Sequence, residues 1–477
     1  MSSNEQIITG SLNYKEIDFT FVLYKNELKL IPPMDKREEI EWNWSKKEIK
    51  KGVFTFGDPI RIEEKYIEGF ISESNQKIIL FPTQGSILAF RNSTIIIEIE
   101  SYIICKYDRE TFNKITITCP ELNVIFPITQ ALSININSDD YFEKGLLSLN
   151  TIDFENTITD KQVFIVDQKQ VSVYFSISRT VSKSNLKPPL ELKTCLSFEF
   201  DATDDYSFIQ HLWHIARDFI RFLCYRNNIS ISSIHIFAPC LEGKHEEFAT
   251  MHILTQEVET ETYPLEQGRC IPQCLFVGKE GKIMADIANG SLYLRHLPDS
   301  FVSGRHINEA RFVLITSAFE WEYKRLYPDG IKKSDKTIEA EKYAIGKMQE
   351  LINTSTGKKK EIFKRLFKLI NSDPLSEKIK KSAEDFADII GCFGEHLYKI
   401  NNAEMNYSEM GKRLADQRND FAHGNIDKDI NGLSLLDLMF MEFLIYAMQL
   451  KKFEIDDLSI RKSINYLFHQ NFVFEDK

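Results

Sequence analysis

The spacing of apolar residues changes part-way along this chain, and that change constrains the fold more than anything else in the sequence. Over roughly the first two hundred residues the apolar positions tend to alternate, the two-residue repeat of a half-buried strand. "DFTFVLY", "KIILFP", "STIIIEIESYIICKY", "KITITC", "VSVYFSISRTV" and "LELKTCLSFEFD" are rich in β-branched and aromatic residues. Turn formers separate them in "FGDP", "TQGS" and "SNLKPP". A mainly antiparallel sandwich or barrel-like domain is predicted. In "DDYSFIQHLWHIARDFIRFLCY" the period becomes helical, with Phe208, Leu212, Ile215, Phe219 and Phe222 on one face. Asp204 and Asp205 stand near its start, where the helix dipole favours negative charge. "ISISSIHIFAP" and "HEEFATMHILTQEV" return to strand, so this helix, near 204–225, is expected to pack on a sheet within the N-terminal half.

The stretch 278–300 has little periodicity and several glycines, and the domain boundary is placed there. Beyond it the pattern is helical. "INEARFVLITSAFEWEYKRLYP" reads as a long helix stopping at Pro328. "TIEAEKYAIGKMQELIN", "KKKEIFKRLFKLI", "LSEKIKKSAEDFADIIGCF", "SEMGKRLADQRNDFAHG" and "LSLLDLMFMEFLIYAMQLKKF" follow. The expected architecture is an α+β multidomain chain: a β-rich domain over 1–290, then an all-α bundle of about five or six helices over 300–477. A length of 477 residues already exceeds one hydrophobic core.

Hydrophobic residues at 43% and charged residues at 27% allow sizeable cores. A net charge of −11 excludes a general polyanion binder, so contact with nucleic acid would need a local basic patch. "MSSNEQIITG" lacks the basic and apolar regions of a signal peptide. "LLDLMFMEFLIYAMQL" carries Asp437 and Glu442 and is short for a bilayer span; it reads as a buried helix. No membrane association is expected. The eight cysteines are scattered singly apart from Cys270 and Cys274, as reduced thiols of a cytoplasmic protein would be.

One short stretch, "QRNDFAHG", gathers Arg418, Asn419, Asp420 and His423 where a helix stops. Ser408 is the expected N-cap and Gly424 the expected stop. Asn419 and His423 are four residues apart and share a face; Asp420 and His423 are three apart; the long Arg418 side chain can swing toward them. The set offers an imidazole that titrates near neutrality, a permanent planar cation and groups to orient both, the parts needed to attack or stabilise a phosphodiester. On composition alone the same residues also suit a surface helix end. There a protonated His423 complements the dipole, and Arg418 pairs with Asp416 or Asp420.

"RNDFAH" resembles the Arg-x4–6-His signature of HEPN domains, helical bundles found in many bacterial ribonucleases and toxins. Asn419 occupies the polar position that follows the arginine in that signature. "VLITSAFEWEYKRLYP" resembles the opening helix of the HEPN domain in ApeA-type anti-phage proteins, which also place a β-rich domain before the HEPN bundle. The resemblance implies a metal-independent endoribonuclease, needing no cofactor, in which Arg418 and His423 are the catalytic pair and Asn419 the accessory polar residue. An earlier helix sometimes adds an acid in that family, for which Glu320 and Glu322 are the candidates, with Asp420 a further accessory residue. It implies RNA as substrate (tRNA being one candidate), a homodimer through the HEPN domain, a phage-derived trigger, and a role in abortive infection restrained by the N-terminal domain. The competing classes are a non-catalytic HEPN module that binds nucleotide or RNA, and a purely structural interaction protein.

Weaker signals surround this one. From Lys358 to Lys381 nine Lys or Arg face three acids, a net of +6, and Lys358, Lys359, Lys360, Lys364 and Arg365 are the candidate RNA contacts. A solvated helix face would read the same way. Cys270 and Cys274 lack a second ligand pair, with Cys240 and His235 the remaining candidates, and no structural metal is expected. His211 and His214, three apart on the amphipathic helix, read as satisfied core-edge histidines. "GKEGK" lacks the spacing of a phosphate loop.

Overall fold

A computed structural model describes all residues except 1–6, 41–45, 57–59, 92–93, 136–143, 146–147, 230, 232, 241–243, 255–260, 332–333, 371–372, 423–429, 431 and 475–477. The chain is mixed α/β, with a β-rich region followed by a helical one. It forms two compact units. The first comprises Met1–Arg221, Asn228–Leu265 and Glu280–Ala288; the second comprises Phe222–Asn227, Glu266–Lys279 and Asn289–Lys477.

The first unit is built on one antiparallel sheet, of fourteen strands among the described residues. Ile8–Tyr14, Ile17–Tyr24 and Glu27–Ile31 form a meander. Its first turn is tight: Lys15 and Glu16 both take positive φ, 51° and 66°, the conformation a two-residue hairpin requires. Ile67–Ile71 pairs with Ile8–Tyr14, and Lys77–Pro82 with Ile67–Ile71. The long strand Thr94–Cys105 then pairs with Glu27–Ile31 through its first half and with Lys77–Pro82 through its second. That double pairing closes six strands into a ring. The alternation read from sequence fills the ring: Leu12, Phe19, Phe21, Leu28, Leu30, Ile78, Leu80, Ile95 and Ile97 are all buried in one cluster. A Cβ at Gly10 would stand 2.0 Å from the Phe70 carbonyl oxygen, so the closure admits only glycine there.

The second half of Thr94–Cys105 also pairs with His245–Ile253. From there the sheet continues through Ser233–Pro239, Phe112–Thr118, Leu190–Thr203 and Lys169–Val181 to Gln162–Val166. The helix Tyr206–Cys224 carries the expected apolar face. Phe208 meets Phe200 edge-on at 5.0 Å, and Phe219 lies 6.4 Å from Phe175. On the same helix His211 Nδ1 is 2.7 Å from Asp167, and His214 Nε2 is 3.7 Å from Glu100. Burial, reinforced by Arg217, pulls the His214 imidazole down to about 4. A second helix, Glu280–Ala288, lies within the stretch that sequence read as aperiodic; it packs on Gln162–Val166, where a Cβ on Gly281 would come 2.6 Å from the Val163 carbonyl oxygen.

In the second unit eight helices run from Glu309 to Leu467 among the described residues, more than the five or six expected. "LSEKIKKSAEDFADIIGCF" is two helices, Leu375–Asp385 and Ala387–Ile400, broken at Phe386. Asp457–Leu467 is a further short helix that the sequence pattern did not signal. Gly432–Lys452 is the central element. At 21 residues it is long enough to cross a bilayer, but 83% of its most apolar window is buried inside the protein. Only one helix among the described residues is long and apolar enough to cross a membrane, and that one is a core helix.

Candidate functional site

The helix Tyr407–Ala422 carries Arg418, Asn419 and Asp420 in its last turns. Its cap is Asn406, not Ser408: the Asn406 Oδ1 accepts the backbone N–H groups of Ser408 at 3.0 Å and Glu409 at 3.2 Å. Asparagine caps at least as well as serine. The earlier start is consistent with Tyr407, which stacks on Phe440 with centroids 6.0 Å apart. Met410, Gly411, Leu414, Gln417 and Phe421 form the buried face at helical spacing. A Cβ on Gly411 would lie 2.3 Å from the Ser376 carbonyl oxygen, so two helix backbones touch there. Phe421 meets Phe312 edge-on at 5.4 Å. With that face fixed inward, Arg418 and Asp420 lie half-buried at its margin and Asn419 is exposed. His423 and Gly424 lie outside the described residues.

A buried ion pair holds this helix at depth. Asp437, fully buried on the central helix, accepts from Arg413 Nε at 2.7 Å and Nη2 at 2.8 Å. The Tyr398 hydroxyl donates to the same carboxylate. The Asp437 bond raises Arg413 above the ordinary guanidinium value, and burial pushes the Tyr398 phenol up. A fork-on-fork contact fixes rotation as well as position. Arg413 stands five residues before Arg418, about 7.5 Å along the axis at 1.5 Å per residue.

Arg418 itself is held loosely. Its Nη2 donates to Glu320 Oε2 at 3.3 Å, between side chains 32% and 35% exposed. Its Nε is buried without a hydrogen-bond partner among the described residues. Glu320 belongs to the helix Glu309–Leu326. Glu322, on the same helix, turns inward: it is 2% exposed and accepts from Arg325 Nη1 at 2.8 Å, Gln449 Nε2 at 3.1 Å and the Tyr293 N–H at 3.3 Å. Burial pushes its carboxyl above the usual range. The fold therefore brings Glu320 to Arg418 and commits Glu322 to the core. The side chain is 32% exposed, so its Nη groups, not the buried Nε, are the donors an incoming anion would meet.

The basic segment forms the helix Gly357–Ile370, packed along Asp335–Thr354. Lys358, Lys359, Lys364 and Arg365 are exposed, Lys360 half-buried, and Phe363 and Phe367 half-buried. Cys270 is buried, and burial pushes its thiol up to about 12, while Cys274 is exposed. Among the described residues no group of His, Cys, Asp or Glu has the arrangement of a metal site.

Sequence reading missed the buried partners. Asp437 and Glu442 were conspicuous as acids within an apolar run, and a buried carboxylate demands a partner. What it could not supply was their identity. Arg413 and Tyr398 meet Asp437; Arg311, with Nη2 at 2.8 Å, and the Tyr225 hydroxyl meet Glu442. No protein-family model, curated protein or solved structure matches this chain.

Proposed function

We propose that the chain is a metal-independent endoribonuclease of the HEPN type, resembling ApeA-type anti-phage proteins, acting as a cytoplasmic effector of abortive infection. The ribose 2′-OH attacks the adjacent phosphorus. The bond to the 5′-oxygen breaks, leaving a 2′,3′-cyclic phosphate and a 5′-OH. His423 moves the protons of that exchange, Arg418 holds the phosphate and its developing charge, and Asn419 orients the pair. DNA lacks the 2′-OH and is not a substrate. The exposed Lys358, Lys359, Lys364 and Arg365 track the RNA backbone. A second copy, joined through the helical unit, supplies a second Arg–His set to the same cleft. The β-rich unit restrains the site until a phage product releases it.

The observation that carries this reading is the state of Arg418. It sits at the solvent margin of a helix anchored by the Arg413–Asp437 pair, and among the described residues its ion-pair partner is Glu320, at 3.3 Å. Arg413 on the same helix, by contrast, holds its carboxylate through Nε at 2.7 Å and Nη2 at 2.8 Å.

The test is incubation of the purified protein with total cellular RNA, with and without EDTA. Cleavage that survives EDTA and leaves cyclic phosphate ends is expected. His423→Ala should lower the rate roughly 10²–10⁴-fold with RNA affinity largely kept. Arg418→Ala should lower both rate and affinity, and Arg418→Lys should not restore them fully, since an ammonium lacks the planar fork. Wild-type cleavage by a folded His423→Ala protein ends the assignment.

A further inference from the structure

The helices Asp335–Thr354 and Gly357–Ile370 form an antiparallel hairpin within the second unit. The Asp373 carboxylate accepts the Ile331 N–H at 3.0 Å, so the chain leaves and re-enters at one place. Of the twenty residues in the first helix only Ile352 is buried. At about 100° per residue, Glu341, Ile345, Met348 and Ile352 share the face turned to the second helix, which answers with Phe363 and Phe367. These residues are partly or wholly buried and form the seam of the hairpin.

Both apolar arcs extend about a quarter turn past that seam. Leu351 on the first helix and Ile362 and Leu366 on the second are each more than 40% exposed. The same sense of rotation in two antiparallel helices leads to the same side of the pair, so the three share one surface. Lys336, Lys347 and Lys359, all exposed, stand on that side too. The acids do not. Glu341 lies in the seam, and Asp335, Glu339, Glu350 and Glu361 turn outward or to the opposite side. Lys347 reaches back to Glu350 at 2.9 Å, but both side chains are more than half exposed and water screens the pair.

An aliphatic stripe set among lysines, with no carboxylate beside it, selects its partner by charge. A second copy would bring lysine against lysine. RNA gains little from leucine and isoleucine, which have no ring for a base to stack on. A protein helix seated over the stripe would bury the Lys359 ammonium, at a desolvation cost. An anionic bilayer accepts every part: the aliphatic side chains enter the boundary of the acyl chains, and the lysine stems carry their ammonium groups to the phosphates. Lys358, Lys364 and Arg365, assigned above to RNA, turn away from this side.

We propose that this side of the hairpin is a peripheral contact for a membrane surface rich in anionic phospholipid. It lies in the headgroup region and needs no spanning helix, and it departs from the sequence-based expectation of no membrane association.

The test is co-sedimentation of the full chain with vesicles of equal parts phosphatidylglycerol and phosphatidylcholine, beside vesicles of phosphatidylcholine alone. Binding roughly tenfold or more tighter to the anionic vesicles is expected. Ile362→Ser with Leu366→Ser alters two exposed side chains and should weaken that binding by roughly tenfold, with circular dichroism unchanged. Lys347→Glu with Lys359→Glu, which leaves every apolar contact in place, should weaken it at least as much. Equal affinity for the two vesicles, or none, overturns the proposal. Wild-type vesicle binding by the serine pair also overturns it, because that is attraction by charge alone. A dimer that the serine pair dissociates would assign this side to a second copy, and RNA affinity lost with the same pair would assign it to RNA; either result overturns the membrane contact.

Discussion

The pair of Arg413 and Asp437 gives the sharpest test of what positions the candidate site. Asp437→Asn keeps the shape of the side chain and removes its charge. One amide oxygen remains for two guanidinium nitrogens and a tyrosine hydroxyl, and the new NH₂ group points a donor at donors. Removing one partner of a buried pair costs about 3–5 kcal/mol. The Arg413 side chain is 22% exposed, so water partly compensates, which places the cost near the lower end, about 3 kcal/mol. With a urea dependence of about 2 kcal/mol per M, the unfolding midpoint of the helical unit should fall by roughly 1.5 M. Hydrogen exchange of peptides covering Tyr407–Ala422, followed in urea, isolates that unit from the β-rich one. The double variant Arg413→Met with Asp437→Leu should recover most of the loss, because the cost lies in the orphaned charge rather than in the pair's own net contribution. A single variant within about 0.5 kcal/mol of wild type, or a double variant no better than the single, would refute the argument.

Three further outcomes follow from the packing. His296 is fully buried beside Arg311, and burial first, then that charge, pulls its imidazole down to about 3 from an unfolded value near 6.5. The unfolded chain therefore binds the extra proton between those values, so this contribution to stability is complete above about pH 6.5 and is lost as pH falls toward 3; the difference in stability between wild type and His296→Phe should slope at up to about 1.4 kcal/mol per pH unit, and a flat difference would sink the idea. Gly411→Ala places a methyl 2.3 Å from the Ser376 carbonyl oxygen, so the helices Leu375–Asp385 and Tyr407–Ala422 must part, and a stability loss of roughly 1–3 kcal/mol in urea unfolding is expected. A fragment beginning at residue 289 lacks Tyr225, which bonds Glu442, and Phe222, which stacks on Tyr446 at 5.2 Å, so it should unfold at lower urea than one that keeps 222–227; equal midpoints would show those contacts to be dispensable.

The β-rich region was legible because strands such as Ile8–Tyr14, Ile17–Tyr24 and Ser233–Pro239 bury one face and alternate, while Lys77–Pro82 and the middle of Lys169–Val181 are continuous apolar runs rich in β-branched and aromatic residues. The closing of the ring was not. It depends on Thr94–Cys105 pairing with Glu27–Ile31 in one half and Lys77–Pro82 in the other, two partners that nothing local to that strand specifies. The helix Glu280–Ala288 leaves no periodic signal because only Glu280, Gly281, Ile283 and Met284 are buried over its nine residues, too short a run for a 3.6-residue repeat to declare itself. The break at Phe386 escaped notice because apolar residues continue at helical spacing on both sides of it.

At the candidate site the sequence supplied the cluster but not its support. Residue types and spacing pointed to Arg418 because chemistry at a helix end is local. They could not choose between Glu320 and Glu322, which stand two residues apart on one helix. That choice is made by rotation about the helix axis: two residues turn roughly 200°, so one carboxylate reaches Arg418 at the surface and the other is carried into the core toward Gln449. The rotation is set in turn by distant contacts, the Phe312–Phe421 packing and the Arg311–Glu442 pair among them. An acid inside an apolar helix is therefore the most informative signal to carry forward from a sequence of this kind. Asp437 and Glu442 were visible as anomalies, and each marks where another helix must deliver an arginine. For Asp437 that arginine lies on the helix that presents Arg418, so the same contact that neutralises a buried charge also sets the angle at which the candidate site meets solvent.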